Sequence, residues 1–348
     1  MAYEYIHGGD VYTNPQVVEF SANINFLGMP QAVAQAVSDS LSQAEHYPDA
    51  LCRDLRRDLA KFHHVSEDWL YCGNGASEVF FRLVQALQPR RALILAPTFA
   101  DYEKALKSVK CKVRYYDLCS EADFVIQGDI VEQIKNVDMV VICNPNNPTG
   151  LLCEQGLTKA ILKRCTQQGA CLVVDECFLD FVKKSERQSM VGELMSHHNL
   201  VVLKAFTKIF AMPGLRLGYC LLNNQGLAEA LYEVGPDWNV STLAQVAGRA
   251  ALKETEYLDN TWVVTERERN FLLTGLSKLG IKTFASKANY IFFHCEETDL
   301  QGKLLTKNIL VRDCRNYRNL QPGYYRIAVR GHEDNILFLQ VLKELLAK

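Results

Sequence analysis

The chain has 348 residues, with 38 Lys and Arg against 40 Asp and Glu and a formal net charge of −2. Near-balanced charge with 48% hydrophobic residues describes a folded globular chain; it argues against a polybasic partner of nucleic acid or of an anionic membrane, so anion binding must be local. The length is enough for one large and one smaller domain, each with its own core.

The opening stretch Met1-Ala2-Tyr3-Glu4-Tyr5-Ile6-His7 lacks the basic start and apolar run of a signal peptide. No apolar stretch reaches the ~20 residues of a membrane span, so a cytoplasmic protein is expected. The 12 cysteines include no Cys-x-x-Cys pair and no nearby histidine at metal spacing. They read as small reduced core residues, and no metal site is expected.

Short apolar runs fall at 70–72, 92–96, 112–116, 139–143, 171–175, 200–203 and 217–221. Amphipathic stretches at 77–87, 102–109 and 154–168 lie between them and are long enough for helical crossovers. This rhythm predicts an α/β fold around a mostly parallel sheet, with ligands collecting at the C-terminal ends of the strands. A long amphipathic helix is expected over 257–279, followed by alternating runs at 288–294, 309–313 and 325–329 and a closing helix over 333–346. That second half reads as a smaller α+β domain.

Four segments carry chemistry. Gly73-Asn74-Gly75-Ala76-Ser77-Glu78 follows a strand and opens a helix, so its free N–H groups and the helix dipole suit a phosphate. Asn144-Pro145-Asn146-Asn147-Pro148-Thr149-Gly150 follows a later strand as turn chemistry. Val173-Val174-Asp175-Glu176 ends another strand, where a buried Asp175 needs a cationic partner. The run from Thr207 to Tyr219 holds Lys208 in an apolar frame, which favours the neutral amine that can form a Schiff base, and Arg216 can hold a phosphate.

In this order, and over nearly the whole chain, these segments resemble the pyridoxal-phosphate enzymes of the aspartate aminotransferase fold type, the class I/II aminotransferase family. Within it the chain is most similar to the threonine-phosphate decarboxylases of cobalamin biosynthesis, with the histidinol-phosphate aminotransferases as near relatives. The resemblance implies fold type I: a large domain over 41–236 with a mostly parallel seven-stranded sheet, a small α+β domain over 237–348, and an arm over 1–40 packing on the small domain. Pyridoxal phosphate is the implied cofactor and a phosphorylated amino acid the implied substrate.

Residue by residue, the resemblance makes Lys208 the Schiff-base amine and gives Asp175 the protonated pyridine nitrogen, which improves the ring as an electron sink. Asn147 would meet the ring hydroxyl oxygen and line the substrate side, and Phe99 would stack on the ring. Gly75, Ala76, Ser77, Thr207 and Arg216 would hold the phosphate. Tyr47 matches a tyrosine that reaches the phosphate in the neighbouring subunit, which implies a homodimer with shared active sites.

Arg326, in Tyr324-Tyr325-Arg326-Ile327, matches the arginine of the substrate carboxylate, where a planar fork suits a bidentate anion. Arg330 is expected in a surface ion pair. His7, Gly8 and Asn25 resemble the arm that covers the site and contribute to a substrate-phosphate pocket, with Arg312 as a second anion ligand and Asn289 at the same edge.

Two positions depart from the family pattern. Ala205 stands where a serine or threonine usually meets the phosphate, leaving Thr207, Lys204 or a water to substitute. Phe178, three residues after Asp175, replaces the tyrosine that histidinol-phosphate enzymes generally carry, which favours the decarboxylase branch. Decarboxylation of L-threonine O-3-phosphate and transamination by a histidinol-phosphate or related aminotransferase are thus the two activities implied.

Overall fold

The computed structural model describes residues 7–347. In chain order the first part contains β1 (Val18–Glu19), α1 (Gln31–Asp39), α2 (Arg53–His63), β2 (Leu70–Gly73), α3 (Ala76–Leu87), β3 (Arg91–Ala96), α4 (Ala100–Ser108) and β4 (Lys112–Asp117). It continues through α5 (Ile130–Gln133), β5 (Met139–Cys143), α6 (Gln155–Gln168), β6 (Cys171–Asp175), β7 (Leu200–Ala205), β8 (Gly218–Leu222), α7 (Gln225–Glu233) and α8 (Thr242–Ala251). The remainder is α9 (Thr255–Lys278), β9 (Lys282–Thr283), β10 (Tyr290–His294), α10 (Leu300–Leu305), β11 (Ile309–Leu310), β12 (Arg312–Asp313), β13 (Tyr324–Ala328) and α11 (His332–Leu346).

Seven strands form one sheet in the order β2-β8-β7-β6-β5-β3-β4, and only β8 runs against its neighbours. The expected mostly parallel seven-stranded sheet of an α/β fold is what forms. Its central strands are apolar throughout because both faces are covered. Val140, Ile142, Leu172, Val174 and Val202 enter one core, with Leu55 and Leu59 of α2 and Ile161 of α6. Their alternates Val141, Val173 and Val201 enter another, with Phe80 of α3, Tyr102 of α4 and Leu231 of α7. Period two along each strand therefore feeds two helical layers.

A second, antiparallel sheet has the order β12-β13-β10-β9, and packs with α9 and α11 around a third core that includes Ile291, Phe293, Ile327, Leu272 and Phe338. The run expected over 309–313 splits in two. Its first half pairs in parallel with β1, Val18 opposite Ile309, and its second half joins β13, Arg312 opposite Arg326. The arm is stitched in by Phe20, which donates to Leu310 O, accepts from Ala328 N (both 2.8 Å) and is fully buried in the third core. Helices α1, α2, α5, α7, α8 and α10 lie outside the helical stretches expected from the sequence. In α8 the buried positions are Ala244, Ala247, Gly248 and Ala251, too small to give a strong apolar periodicity. Among the described residues no helix is long and apolar enough to cross a membrane.

One charge sits inside the sheet layer. Lys204, in β7, lies 3.3 Å from Glu176 and 3.7 Å from Asp180 and is itself buried. Burial works to neutralise the amine, but Asp180 and Glu176 together hold it above the ordinary lysine range. Glu176 is further tied by Ser189 Oγ and Met190 N, each donating at 2.7 Å. Removing one partner of such a group leaves a buried uncompensated charge. Lys204→Met is therefore expected to lower the unfolding free energy by about 3–5 kcal/mol, read from urea denaturation.

Candidate active site

A cavity of about 320 Å³ opens at the C-terminal ends of the parallel strands, between the large sheet, the arm and the small sheet. Its floor is the helix-opening turn after β2. Gly75 has φ +88, and a Cβ there would fall 2.5 Å from Arg216 Nη2. Only glycine lets the guanidinium lie this close to the first turn of α3. Ala76 and Ser77 start that helix, which has no side-chain cap, so its N-terminal amides and Arg216 make an anion cradle. Thr207 and Ala205 line the same cavity. Lys204 faces the Glu176 and Asp180 pair instead, so of the two side chains considered for the place of the hydroxyl missing at Ala205 only Thr207 lines the cavity.

Ser77 Oγ donates to Asp101 Oδ2 at 2.9 Å, and His7 Nε2 lies 3.2 Å from the same carboxylate. Burial raises the affinity of Asp101 for a proton, but His7 and Ser77 outweigh it and hold the carboxyl below the usual range. His7 also rests on Phe99, ring centroids 5.5 Å apart, so the arm touches both the helix start and the aromatic wall. Gly8 follows because a Cβ there would meet Ser21 O at 2.3 Å.

The opposite wall carries the amine and two polar partners. Lys208 is partly exposed into the cavity, with Nζ 6.0 Å from the centroid of Phe178. Burial, then the positive charge of Arg326, lower its pKa from the ordinary 10.5 to about 8; Arg216 adds to this, against Cys177 and Asp175. Asp175 closes β6, where its Oδ2 accepts from Tyr102 Oη at 2.5 Å and its Oδ1 from Cys177 N at 2.9 Å. Asn147 Oδ1 accepts from Arg326 Nη1, and Tyr317 Oη approaches it at 3.5 Å.

Arg326 is buried in β13 and donates from Nη2 to Ser21 O at 2.6 Å. Its Nε has no hydrogen-bond partner among the described residues, which leaves a donor for a ligand. Arg312 stands opposite Arg326 in the register of β12 and β13, so both side chains rise from one face of the small sheet. Arg312 also bonds Asn316 Oδ1 at 2.8 Å and lies over the ring of Tyr317. Arg330 pairs with Asp334 at 3.2 Å, as expected of a surface residue.

Four expected residues do not line the cavity; one is Gly75, buried in the turn before α3, where it makes room for Arg216. Asn25 is buried behind the cavity wall; its N donates to Lys208 O at 3.1 Å and its Nδ2 to Ile209 O at 2.9 Å, so it fixes the lysine loop from behind. Asn289 is also one layer back, donating to Asn23 O at 3.2 Å. Tyr47 is 80% exposed on the outer surface, stacked on Trp238 at 4.6 Å. In compensation the cavity includes Ser21, Asn23, Asp101, Tyr102 and Cys177, which the sequence did not single out. Ser21 and Asn23 flank Ala22 in the arm segment that had been noticed, and Tyr102 follows Phe99 by less than one helical turn, which is the signal that could have found it.

The donors suit one kind of group. A phosphate fits the α3 cradle, a flat ring fits beside Phe99, a ring cation fits Asp175, and a carbonyl carbon can meet Lys208. Arg326, whose Nε has no hydrogen-bond partner among the described residues, and Arg312 both line the cavity on the small-sheet side.

The aminotransferase class I and II family matches residues 15–338. Threonine-phosphate decarboxylase of Salmonella typhimurium is 36% identical, covering 98% of this chain and 96% of that protein. The crystal structure of histidinol-phosphate aminotransferase from Clostridium acetobutylicum superposes with a TM-score of 0.88 at 30% identity, covering 94% of this chain and 98% of that one. That of L-threonine-O-3-phosphate decarboxylase from Porphyromonas gingivalis gives 0.84 at 26% identity, covering 94% and 99%.

The lowered pKa has a direct readout. A group whose pKa falls loses its proton at lower pH, so in the protein freed of small molecules Lys208 should react with an amine reagent with a midpoint near pH 8, not 10.5, as followed by peptide mass spectrometry. Arg326→Gln removes a repelling charge and should move that midpoint upward.

Proposed function

We propose, from the premise that this chain belongs to the aminotransferase class I and II family, that it decarboxylates L-threonine O-3-phosphate with pyridoxal phosphate as cofactor. The products would be CO2 and (R)-1-aminopropan-2-yl phosphate, the aminoalcohol phosphate used in cobalamin biosynthesis. The observation that carries this reading is a relative of that name 36% identical over 98% of the chain, and the facing pair Arg326 and Arg312 supports it. A phosphoamino acid has two anions to hold, and this edge offers two guanidinium groups.

In this reading the α3 cradle, Arg216 and Thr207 hold the cofactor phosphate, Phe99 lies on the ring, and Asp175 and Asn147 meet the ring nitrogen and ring hydroxyl. When bound, pyridoxal phosphate supplies an electron sink for a bond broken at the substrate α-carbon. Arg326 would grip the substrate carboxylate through its guanidinium, and its hold would fix which group at the α-carbon is presented for reaction. Arg312, His7 and Gly8 take the substrate phosphate, with Asn25 and Asn289 bracing the arm and the lysine loop. Lys208 Nζ delivers a proton to the α-carbon as CO2 leaves and regains one from solvent, a task suited to an amine whose pKa is brought to about 8.

The arm over 1–40, the cofactor unit over 41–236 and the small unit over 237–348 remain the division we propose. We further propose a homodimer in which the stacked pair Tyr47 and Trp238 faces the neighbouring site, since both aromatic rings are exposed on the isolated chain. All 12 cysteines are free, which agrees with a reducing cytoplasm.

The likeness of the backbone to a histidinol-phosphate aminotransferase favours a second reading, transamination on the same scaffold. Incubation with L-threonine O-phosphate should yield CO2 and amine phosphate with no requirement for 2-oxoglutarate; histidinol phosphate converted in its place would overturn the decarboxylase reading. Serine O-phosphate lacks one methyl and should react about 10–200-fold less efficiently in kcat/KM. Lys208→Ala should lose at least about a hundredfold in turnover, and Arg326→Gln should raise KM for the phosphoamino acid strongly while the protein still binds pyridoxal phosphate.

A further inference from the structure

Behind the carboxylate assigned to the ring nitrogen stands a phenol that this assignment does not use. Tyr102, in the first turn of α4, is 2% exposed, and its Oη donates to Asp175 Oδ2 at 2.5 Å. The ring is held edge-on by Phe80, centroids 5.1 Å apart, and by Phe99 at 5.7 Å. These contacts hold the hydroxyl on the carboxylate. Burial, then the charge of Asp175, push the phenol well above its ordinary range, so Tyr102 stays a donor at every working pH.

Asp175 has two carboxylate oxygens with about four lone-pair positions. Tyr102 Oη–H occupies one on Oδ2 and Cys177 N–H one on Oδ1. Two remain.

We propose that Tyr102 is the positioning residue for Asp175: its O–H holds the carboxylate turned so that a free lone pair meets the protonated ring nitrogen of pyridoxal phosphate. This inference rests on the cofactor reading above. It assigns to Tyr102 control over how firmly the ring nitrogen keeps its proton, while Phe99, one position before the helix, supplies only the flat wall.

The test separates this role from packing. Full-length apoprotein, wild type and Tyr102→Phe, is titrated with pyridoxal phosphate and with its carbon isostere, in which CH replaces the ring nitrogen. Tyr102→Phe is expected to weaken pyridoxal phosphate about tenfold, as loss of one hydrogen bond to a charged group does, and the isostere less than about twofold. Equal losses for both ligands, or no loss for either, would overturn the proposal. Failure of the wild type to bind pyridoxal phosphate would overturn the cofactor reading and the proposal with it, whereas tight wild-type binding with equal losses overturns the proposal alone. Should Tyr102→Phe lower the thermal midpoint, labelling with 3-fluorotyrosine, which keeps the ring and strengthens the donor, replaces it. The affinity for pyridoxal phosphate should then move and that for the isostere stay, and movement of both equally counts against the role.

Discussion

A sheet buried on both faces can keep charged groups almost nowhere but at its ends. In β5, β6 and β7 the residues 139–143, 171–174 and 200–203 alternate between the two cores, so a polar side chain within the strands must bring its own partner. Lys204 does so with Glu176 and Asp180. The remaining chemistry is displaced to the C-terminal ends, where Asp175 closes β6 and the loop after β7 carries Lys208. There the arm and the small sheet cover it, and the cavity forms between these covers.

The same desolvation acts in opposite directions on the groups it encloses. It lowers the proton affinity of Lys208, with the help of Arg326, and would raise that of a carboxylate left without donors. Asp175 is given an O–H and an N–H, and Asp101 is given His7 and Ser77. The site thus sets an amine whose pKa is lowered to about 8 beside carboxylates that carry their own hydrogen-bond donors.

Family membership leaves the choice between decarboxylase and aminotransferase to a few side chains on a shared backbone. Phe178 brings no hydroxyl to the ring side; it packs edge-on against Tyr290 at 5.0 Å and faces Lys208. Across the cavity, Arg312 and Arg326 are set opposite each other by the pairing of β12 with β13, so the spacing of their backbone positions is a property of sheet register and not of loop conformation. This makes the small-sheet edge the place where substrate choice within the family can be built.

The alternation of apolar runs and amphipathic stretches was enough to read an α/β fold; Gly75, Asp175, Lys208 and Arg216 stood out by local turn, strand-end and helix-start chemistry, whereas Asn147 and Arg326 were picked out by resemblance to the family. The small-residue helix α8 was not legible, since alanine and glycine leave little periodicity, nor was the division of 309–313 between two sheets, which depends on strands elsewhere in the chain. Partnerships were invisible for the same reason. Tyr102 meets Asp175 across 73 positions, Arg326 meets Ser21 across 305, and Asn25 reaches the lysine loop across 184. Nothing in residue type or spacing says that Asn25 braces from behind while Ser21, four residues earlier, touches the cavity. By itself the sequence determined which residue types were present to do the chemistry and the period that folds them into strands and helices. The tertiary structure alone decided which of them share a desolvated cavity, because burial and hydrogen bonding between distant segments are set only when the arm and the small sheet close over the strand ends.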